Sequence, residues 1–530
     1  MTLVKAMATV GGLTAVSRIA GFIRDIMTAA VLGAGPVADA FFVALKLPNF
    51  FRHVTAEGAF SVSFVPLYTE TLHKEGEDKA GRFAGESFSL MTVVLIAFTA
   101  LILMVMPWFM YVIAPGFDPG TPRYDMAVDM SRVTFPYLLL TSLCALVGGM
   151  LNAHGKFGPF ASTSIYFNLC QIAVLLVWQH FFTTPGHALA WAVTFSGMVQ
   201  LGSLFWHLRK NKVHLPLVRP RVTIRVKKLF HLMGPGVLGA GIIHVNLFAD
   251  IVIASLLTTG AISSIYYADR LFQLPLGVVG IAVGTALLPM MTRALAAGKT
   301  DEACDLFNRS LEYCLFFTVP ATVALGVITH EIVTVLFVRG AYTAADAART
   351  IPALACLSLG LPAYVAVKIF SSAYWSWQDT KTPVKIAASM ALVNIVVALI
   401  LTRFMDVAGI ALATGLSGWV QCFFLWRGLR GHEATRFDER LLRTVPRIFL
   451  CAGIMGVVVW SIARIFAPYF HDGAIVQILA LGFLIACGVA AYFAAAHFTH
   501  VFRFKDMRKY FKRVGGVKRA SEEANKEANK

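Results

Sequence analysis

Apolar residues run in long blocks along almost the whole chain, with polar residues gathered between them. A block of about eighteen or more apolar residues is enough to cross roughly 30 Å of hydrocarbon as a helix. Fourteen such blocks, centred near positions 20, 50, 98, 140, 170, 197, 243, 280, 315, 362, 392, 416, 455 and 487, predict fourteen transmembrane helices. The alternation over about ten residues that marks a membrane β-barrel does not occur. The expected fold class is therefore an all-α polytopic membrane protein. Only Lys5 stands before the first block and Arg18 interrupts it, so the segment does not read as a cleavable leader.

Composition sharpens this picture. Of 530 residues, 57% are hydrophobic and 14% charged, and the mean hydropathy is +0.69, far from a soluble domain. The net charge of +17 would suit nucleic acid, but its distribution argues against that partner. Basic residues fill alternate loops, as at Lys74, Lys79 and Arg82, at Arg209 to Lys228, at Arg427 to Arg443 and in the tail from Arg503. The loops between, such as Gly33 to Val37 and Thr258 to Ser263, carry no Lys or Arg. Positive loops stay cytoplasmic, so both termini are expected there and the span count is even. No folded soluble segment is long enough to read nucleic acid.

Eight cysteines are scattered without a C-x-x-C pair, and the fourteen histidines form no H-E-x-x-H. No phosphate-binding G-x-x-x-x-G-K-[ST] loop occurs. The expectation is a protein without a cofactor, driven by an ion gradient or the membrane potential. An internal duplication adds to it. "DIMTAAVL" from Asp25 resembles "DIVIASLL" from Asp250, and "ADAFFVALKLP" from Ala38 echoes "ADRLFQLP" from Ala268. Six spans separate the copies, so the repeat is parallel, a plan that puts a substrate site at the repeat interface.

Charges inside or beside the spans are the candidate chemistry. They are Arg18, Arg24, Asp25, Asp39, Lys46, Arg52, Glu57, Asp250, Asp269, Arg270 and Lys368. An arginine at the middle of a spanning helix costs about 2.5–3.5 kcal/mol, so a group of them requires partners or a wet cavity. On a straight helix Arg18 and Asp25 share a face while Arg24 diverges from Arg18 by about 120°; Gly21 offers a bend that would bring all three together. Pro48 is expected to kink the second span just before Arg52. Each cation could simply pair with a neighbouring acid. The concentration of Arg18, Arg24, Lys46, Arg52 and Arg270 in matching parts of the two repeats points instead to a polyanion, above all a pyrophosphate, which guanidinium groups bind through two oxygens at once.

At these residues the chain resembles a known family. "SRIAGFIRD", "ADAFFVALKLPNFFR", "AEGAFSVSFVPLYTE", "YYADRLFQLPLGVVGIAVGTALLP" and "YWSWQDTKTPVKIA" are similar to segments of the MurJ (MviN) family of lipid II flippases, and the likeness runs from about residue 5 to 505. It implies the fold of the multidrug/oligosaccharidyl-lipid/polysaccharide (MOP) exporter superfamily. The expected layout is an N-lobe at 1–220, a C-lobe at 221–432, two further helices at 433–502 holding the polyprenyl tail of the substrate, and a basic cytoplasmic tail at 503–530. By the same likeness Arg18, Arg24, Arg52 and Arg270 bind the substrate, with Asp25, Asp39, Lys46, Glu57 and Asp269 supporting them in the cavity. A sodium site at Asp250, Asn394 and Thr414 is implied for some members, but Ala398 stands one turn after Asn394 where a second carboxylate would be needed.

The implied partners are lipid II and membrane lipids, with a monomer in the bacterial inner membrane, no enzyme activity, and coupling to sodium, protons or the membrane potential. Two other readings stand beside this one. Another exporter of the superfamily, a lipid-linked oligosaccharide flippase or a cation-coupled drug antiporter, would share the fold. A membrane transferase would need paired acids for Mg²⁺; Glu75, Glu77 and Asp78 offer them, but as a short charge run they read as a solvated loop.

Overall fold

The computed structural model describes the backbone at residues 3–53 and 60–501, and the side chains at 9–53, 60–234, 248–277, 287–470 and 472–501. Glu57 and the tail from 503 lie outside the described residues. The described residues are helices joined by short connections, without a strand. In chain order the helices are α1 (Leu3–Leu32), α2 (Pro36–Phe51), α3 (Ser61–Glu75), α4 (Glu77–Ile113), α5 (Pro122–Thr134), α6 (Tyr137–Ala153), α7 (Gly158–Ala173), α8 (Pro185–Lys210) and α9 (Ile224–Ser255). They continue with α10 (Ala261–Ala296), α11 (Thr300–Val327), α12 (Thr329–Phe337), α13 (Ala344–Ser358), α14 (Leu361–Ser376), α15 (Lys381–Met405), α16 (Val407–Leu429), α17 (Glu439–Ile465) and α18 (Ala474–Phe498).

A helix stands at each of the fourteen hydropathy centres, and among the described residues ten helical segments are long and apolar enough to cross a bilayer. Two of those segments consist of paired helices. Pro122–Ala153 joins α5 to α6 across Pro136, and Ala344–Ser376 joins α13 to α14 across Gly360. Hydropathy averages over such breaks, whereas a proline without its N–H or a flexible glycine interrupts the hydrogen-bond ladder. Pro48 lies inside α2, which runs on to Phe51 with Arg52 as its cap. At Gly21 no break occurs, and α1 runs through it as one helix.

By packing, the chain divides into two compact units. The first comprises Met1–Phe272, Leu336–Leu357 and Val384–Ser417. One of its cores brings Phe64 and Tyr68 of α3 onto Phe83 of α4, Leu146 and Val147 of α6, Leu204 of α8 and Leu229 of α9. The rings of Phe64 and Phe83 stack with centroids 5.7 Å apart. Between helices surrounded by lipid the gain is close contact, because lipid tails are as apolar as the side chains.

The second unit comprises Gln273–Val335, Ser358–Pro383 and Gly418–Lys530. Here α11 packs on α14 and α17, and α17 on α18. At the start of α17, Asp438 caps the helix by accepting from the Leu441 N–H at 2.7 Å. The same carboxylate pairs with buried Arg309, which also meets Glu312 of α11. Tyr492 of α18 donates to the Phe316 carbonyl of α11 at 2.7 Å. The outer faces stay apolar: Val457 of α17 and Leu479 of α18 are exposed.

Candidate functional site

The whole candidate site lies within the first unit. Its centre is Asp25, near the end of α1. Arg24 Nη2 lies 2.7 Å from Asp25 Oδ1, and Arg270 Nε of α10 lies 3.7 Å from Asp25 Oδ2. Tyr266, one turn before Arg270, donates its hydroxyl to Asp25 Oδ1 at 3.2 Å and carries the Arg270 guanidinium 4.6 Å above its ring. Phe42 of α2 stacks on Tyr266 at 3.8 Å between centroids. Two guanidiniums thus share one carboxylate, and Asp269 adds a further negative charge that acts on Arg270. The arginines differ in freedom: the Arg24 side chain is 9% exposed and that of Arg270 34%.

Arg24 is held on its far side as well. Its Nη1 donates to Asn168 Oδ1 of α7 at 2.9 Å, and Asn168 Nδ2 donates to the Ser17 carbonyl on α1 at 3.0 Å. Phe167 places its ring 5.5 Å from the guanidinium. Replacing Asn168 with alanine removes the acceptor and leaves a buried N–H unmet, a cost of about 1–3 kcal/mol. The expected result is a lower thermal midpoint of the purified protein together with weaker growth support in cells that depend on it.

A second centre forms where the loops at 33–35, 258–260 and 340–342 meet. Asp39, fully buried in the first turn of α2, serves four donors. Its Oδ2 accepts from Gly260 N at 2.7 Å and from Arg123 Nη2 at 2.6 Å. Its Oδ1 accepts from Ser263 N at 2.9 Å and Ser263 Oγ at 2.6 Å. A carboxylate here caps the N-terminus of α10, where unpaired N–H groups and the helix dipole favour a negative charge. Arg123 lies 4.0 Å above the Phe117 ring.

The loops around Asp39 are sewn together through their backbones. Ala341 N donates to Ala30 O at 2.7 Å, Tyr267 OH to Gly33 O at 3.0 Å, and Arg349 to Thr259 O. Gly260 has φ +96°, and a Cβ there would collide with the Ala34 carbonyl oxygen. Gly260→Ala is therefore expected to destabilise this end by about 1–3 kcal/mol through backbone strain alone, with a further loss from the clash. A thermal unfolding series comparing Gly260→Ala with the exposed Gly431→Ala checks it.

A third group surrounds Lys46 of α2, which lies within Coulombic range of Asp269 and Asp250. Asn394 Nδ2 of α15 donates to Asp250 Oδ1 at 3.4 Å. Thr414 lies partly buried on α16, its carbonyl accepting from Ser417 Oγ. Ala398, fully buried on the same helix as Asn394, contributes no oxygen. Among the described residues no cluster of three His, Cys, Asp or Glu could hold a metal. Lys46 is also among the charges that act on Asp250.

Of the four arginines expected to bind substrate, Arg24 and Arg270 meet at Asp25. Arg52, at the end of α2, contacts His53 Nε2 at 3.3 Å, and Arg18 is exposed on α1. Asp39 belongs to a separate centre from Asp25. Sequence reasoning missed Asn168, Tyr266, Arg123 and Ser263. Tyr266 stood inside a motif already singled out, and Asn168 was legible, with Gln171, as an amide within an apolar span. Arg123 and Ser263 gave no signal, because their role depends on which loops meet.

A helical bundle with ionised side chains gathered inside its spans is built as a polytopic membrane transporter, and solved structures agree on the fold. A multidrug resistance MATE transporter of the MOP superfamily, in an inward-facing conformation, superposes with a TM-score of 0.68 at 14% identity, covering 78% of this chain and 94% of that one. A lipid II flippase MurJ in an inward closed conformation superposes at 0.77 with 24% identity, covering 93% and 98%. The family model described as "Lipid II flippase MurJ" matches residues 28–481, and the chain belongs to that family. Relatives include a probable lipid II flippase MurJ of Rhizobium meliloti, 39% identical over 99% of this chain and 100% of its own. Another from Vibrio cholerae is 33% identical over 96% and 98%.

Proposed function

We propose that the protein carries lipid II, the lipid-linked precursor of peptidoglycan, from the cytoplasmic to the periplasmic leaflet of the bacterial inner membrane. The observation that carries this reading is the sharing of Asp25 by Arg24 and Arg270. A pyrophosphate entering a low-dielectric interior bare would pay several kcal/mol for each charge. Guanidiniums offset that cost with paired hydrogen bonds, and they stay charged at any physiological pH.

Asp25 serves as a resident anion. It keeps both guanidiniums paired when no substrate is present, and it yields Arg270 first, because that contact is the longer and the more exposed of the two. Arg24 holds its orientation through Asn168 while Arg270 turns to the incoming phosphate. Arg18 and Arg52 extend the positive lining toward the cytoplasmic mouth, and Lys46 with Asp269 and Asp250 balances charge deeper in. The closed end built on Asp39 opens in alternation with the substrate's entry side.

The same reading gives fourteen spans with both termini cytoplasmic, an N-lobe at 1–220 and a C-lobe at 221–432. The polyprenyl tail stays in lipid along 433–502, where α17 and α18 present their apolar outer faces. No covalent step is needed, and one chain suffices. An anion moving outward gains about 2.3 kcal/mol per charge per 100 mV from an interior-negative potential.

The test is depletion of the protein in cells whose lipid II is assayed on each leaflet. Accumulation confined to the cytoplasmic side, relieved by the parent gene, is the expected result; an unchanged pool of outer-leaflet lipid II would remove the proposal.

A further inference from the structure

The connection between α8 and α9 is a strap fixed on one side and bare on the other. From Val213 to Thr223 it runs without helix or strand, and it lies along the start of α4. Val213 and Leu215 pack into the core with Phe83, Leu204 and Leu208. Glycines on α4 make room: a Cβ on Gly85 would run into the Pro216 carbonyl oxygen. Thr223 Oγ1 donates to Glu86 at 2.8 Å, and Arg225 Nη2 donates to both oxygens of Glu75 at 2.6 Å. That bond, the largest influence on Glu75, holds its carboxyl below the usual carboxylate range.

The opposite side points away from the protein. Leu217 is 78% exposed, Val222 70% and Ile224 90%, a display of large aliphatic groups that the packed side of the strap does not share. Around them Lys212, Arg219, Arg221, Lys227 and Lys228 are exposed too. From Arg209 to Lys228 the chain holds eight Lys and Arg and no Asp or Glu. Aliphatic side chains set among exposed cations match the boundary between anionic headgroups and acyl chains. The location agrees: α8 is a spanning helix that ends at Lys210, so the strap begins at a bilayer face.

We infer that the strap from Val213 to Ile224 is a docking surface for the acidic phospholipids of that leaflet. Leu217, Val222 and Ile224 seat at the headgroup–acyl boundary, and Arg219, Arg221, Lys227 and Lys228 take the phosphates. Its attachment to α4 through Gly85 and Glu86, with Arg225 just beyond it held by Glu75 of α3, makes the bilayer surface a fixed contact of the cytoplasmic half of the first unit.

The experiment uses the full chain carrying Leu217→Trp, whose added ring replaces an exposed side chain, reconstituted in vesicles of brominated phospholipid beside the parent. With about a third of the lipid acidic, the added emission is expected to be blue-shifted and quenched by more than about half. In purely zwitterionic vesicles it stays unquenched. Arg219→Gln with Arg221→Gln, or about 0.5 M salt, is expected to abolish the quenching in acidic vesicles. Ile224→Trp, a second reporter, is expected to behave alike. Equal quenching in both lipids, a water-exposed emission in both, or quenching that survives the double arginine change would overturn the inference. So would seating in zwitterionic vesicles produced by added polyprenyl pyrophosphate alone, since the occupant would then be a substrate headgroup.

Discussion

Asp39→Ala is expected to cost the folded protein about 3–5 kcal/mol, the penalty for breaking a buried ion pair from one side. The carboxylate is wholly buried, and its loss strands the Arg123 guanidinium as well as the N–H groups of Gly260 and Ser263. Asp39→Asn separates the contributions. The amide can still accept from one or two of the donors, but it brings no charge to oppose Arg123 or the N-terminus of α10. Its cost should fall between those of the parent and the alanine variant. Thermal unfolding of the purified proteins reads the order, and support of growth after depletion reads the function. An Asp39→Ala protein as stable as the parent would mean that these loops are held together by the contacts of Gly33, Gly260 and Ala341 without it.

Arg270→Gln is expected to remove carriage while sparing the fold. The side chain is a third exposed and stands 3.7 Å from its carboxylate, so its loss takes less from the resting protein than loss of the more buried Arg24. In the loaded state it removes a charge-assisted contact worth about 1.5–3 kcal/mol, or roughly ten- to a hundredfold in affinity. Arg270→Lys should recover only part, because an ammonium cannot present two parallel donors to a pyrophosphate. Arg24→Gln should lose both function and stability, since Arg24 is buried between Asp25 and Asn168. A pair of variants that separates stability from function in this way distinguishes a binding guanidinium from a merely structural ion pair.

The helices were legible in the sequence because lipid imposes a simple rule: a backbone in hydrocarbon satisfies itself, and a long apolar block has few alternatives to a helix. Local backbone effects were less legible: Pro48 lies within α2, and α1 continues through Gly21 as one helix. The high cost of charge in a membrane also makes Arg24, Asp25, Asp39 and Arg270 conspicuous in the sequence alone.

What could not be read was the pairing. Asp39 and Asp25 looked alike as acids near the second repeat element, yet one serves helix ends and Arg123 while the other serves two arginines. That division depends on Gly260 and Ser263 arriving from more than two hundred residues away. Residues such as Asn168 and Ser263 are ordinary in composition and acquire meaning only from the side chain brought opposite them. The repeat survives in spacing: Asp25 precedes the start of α2 at Pro36 by eleven residues, and Asp250 precedes the start of α10 at Ala261 by eleven.

In the proposed function, Arg24 and Arg270, paired on Asp25 at rest, take up a pyrophosphate. Titration of the purified protein with a short-chain polyprenyl pyrophosphate, for the parent, Arg270→Gln and the exposed control Arg430→Gln, tests it most directly. Affinity is expected to fall by about ten- to a hundredfold in Arg270→Gln and to stay unchanged in Arg430→Gln, with the parent's binding weakening as salt rises. Equal affinity in the parent and Arg270→Gln, both folded, would contradict it.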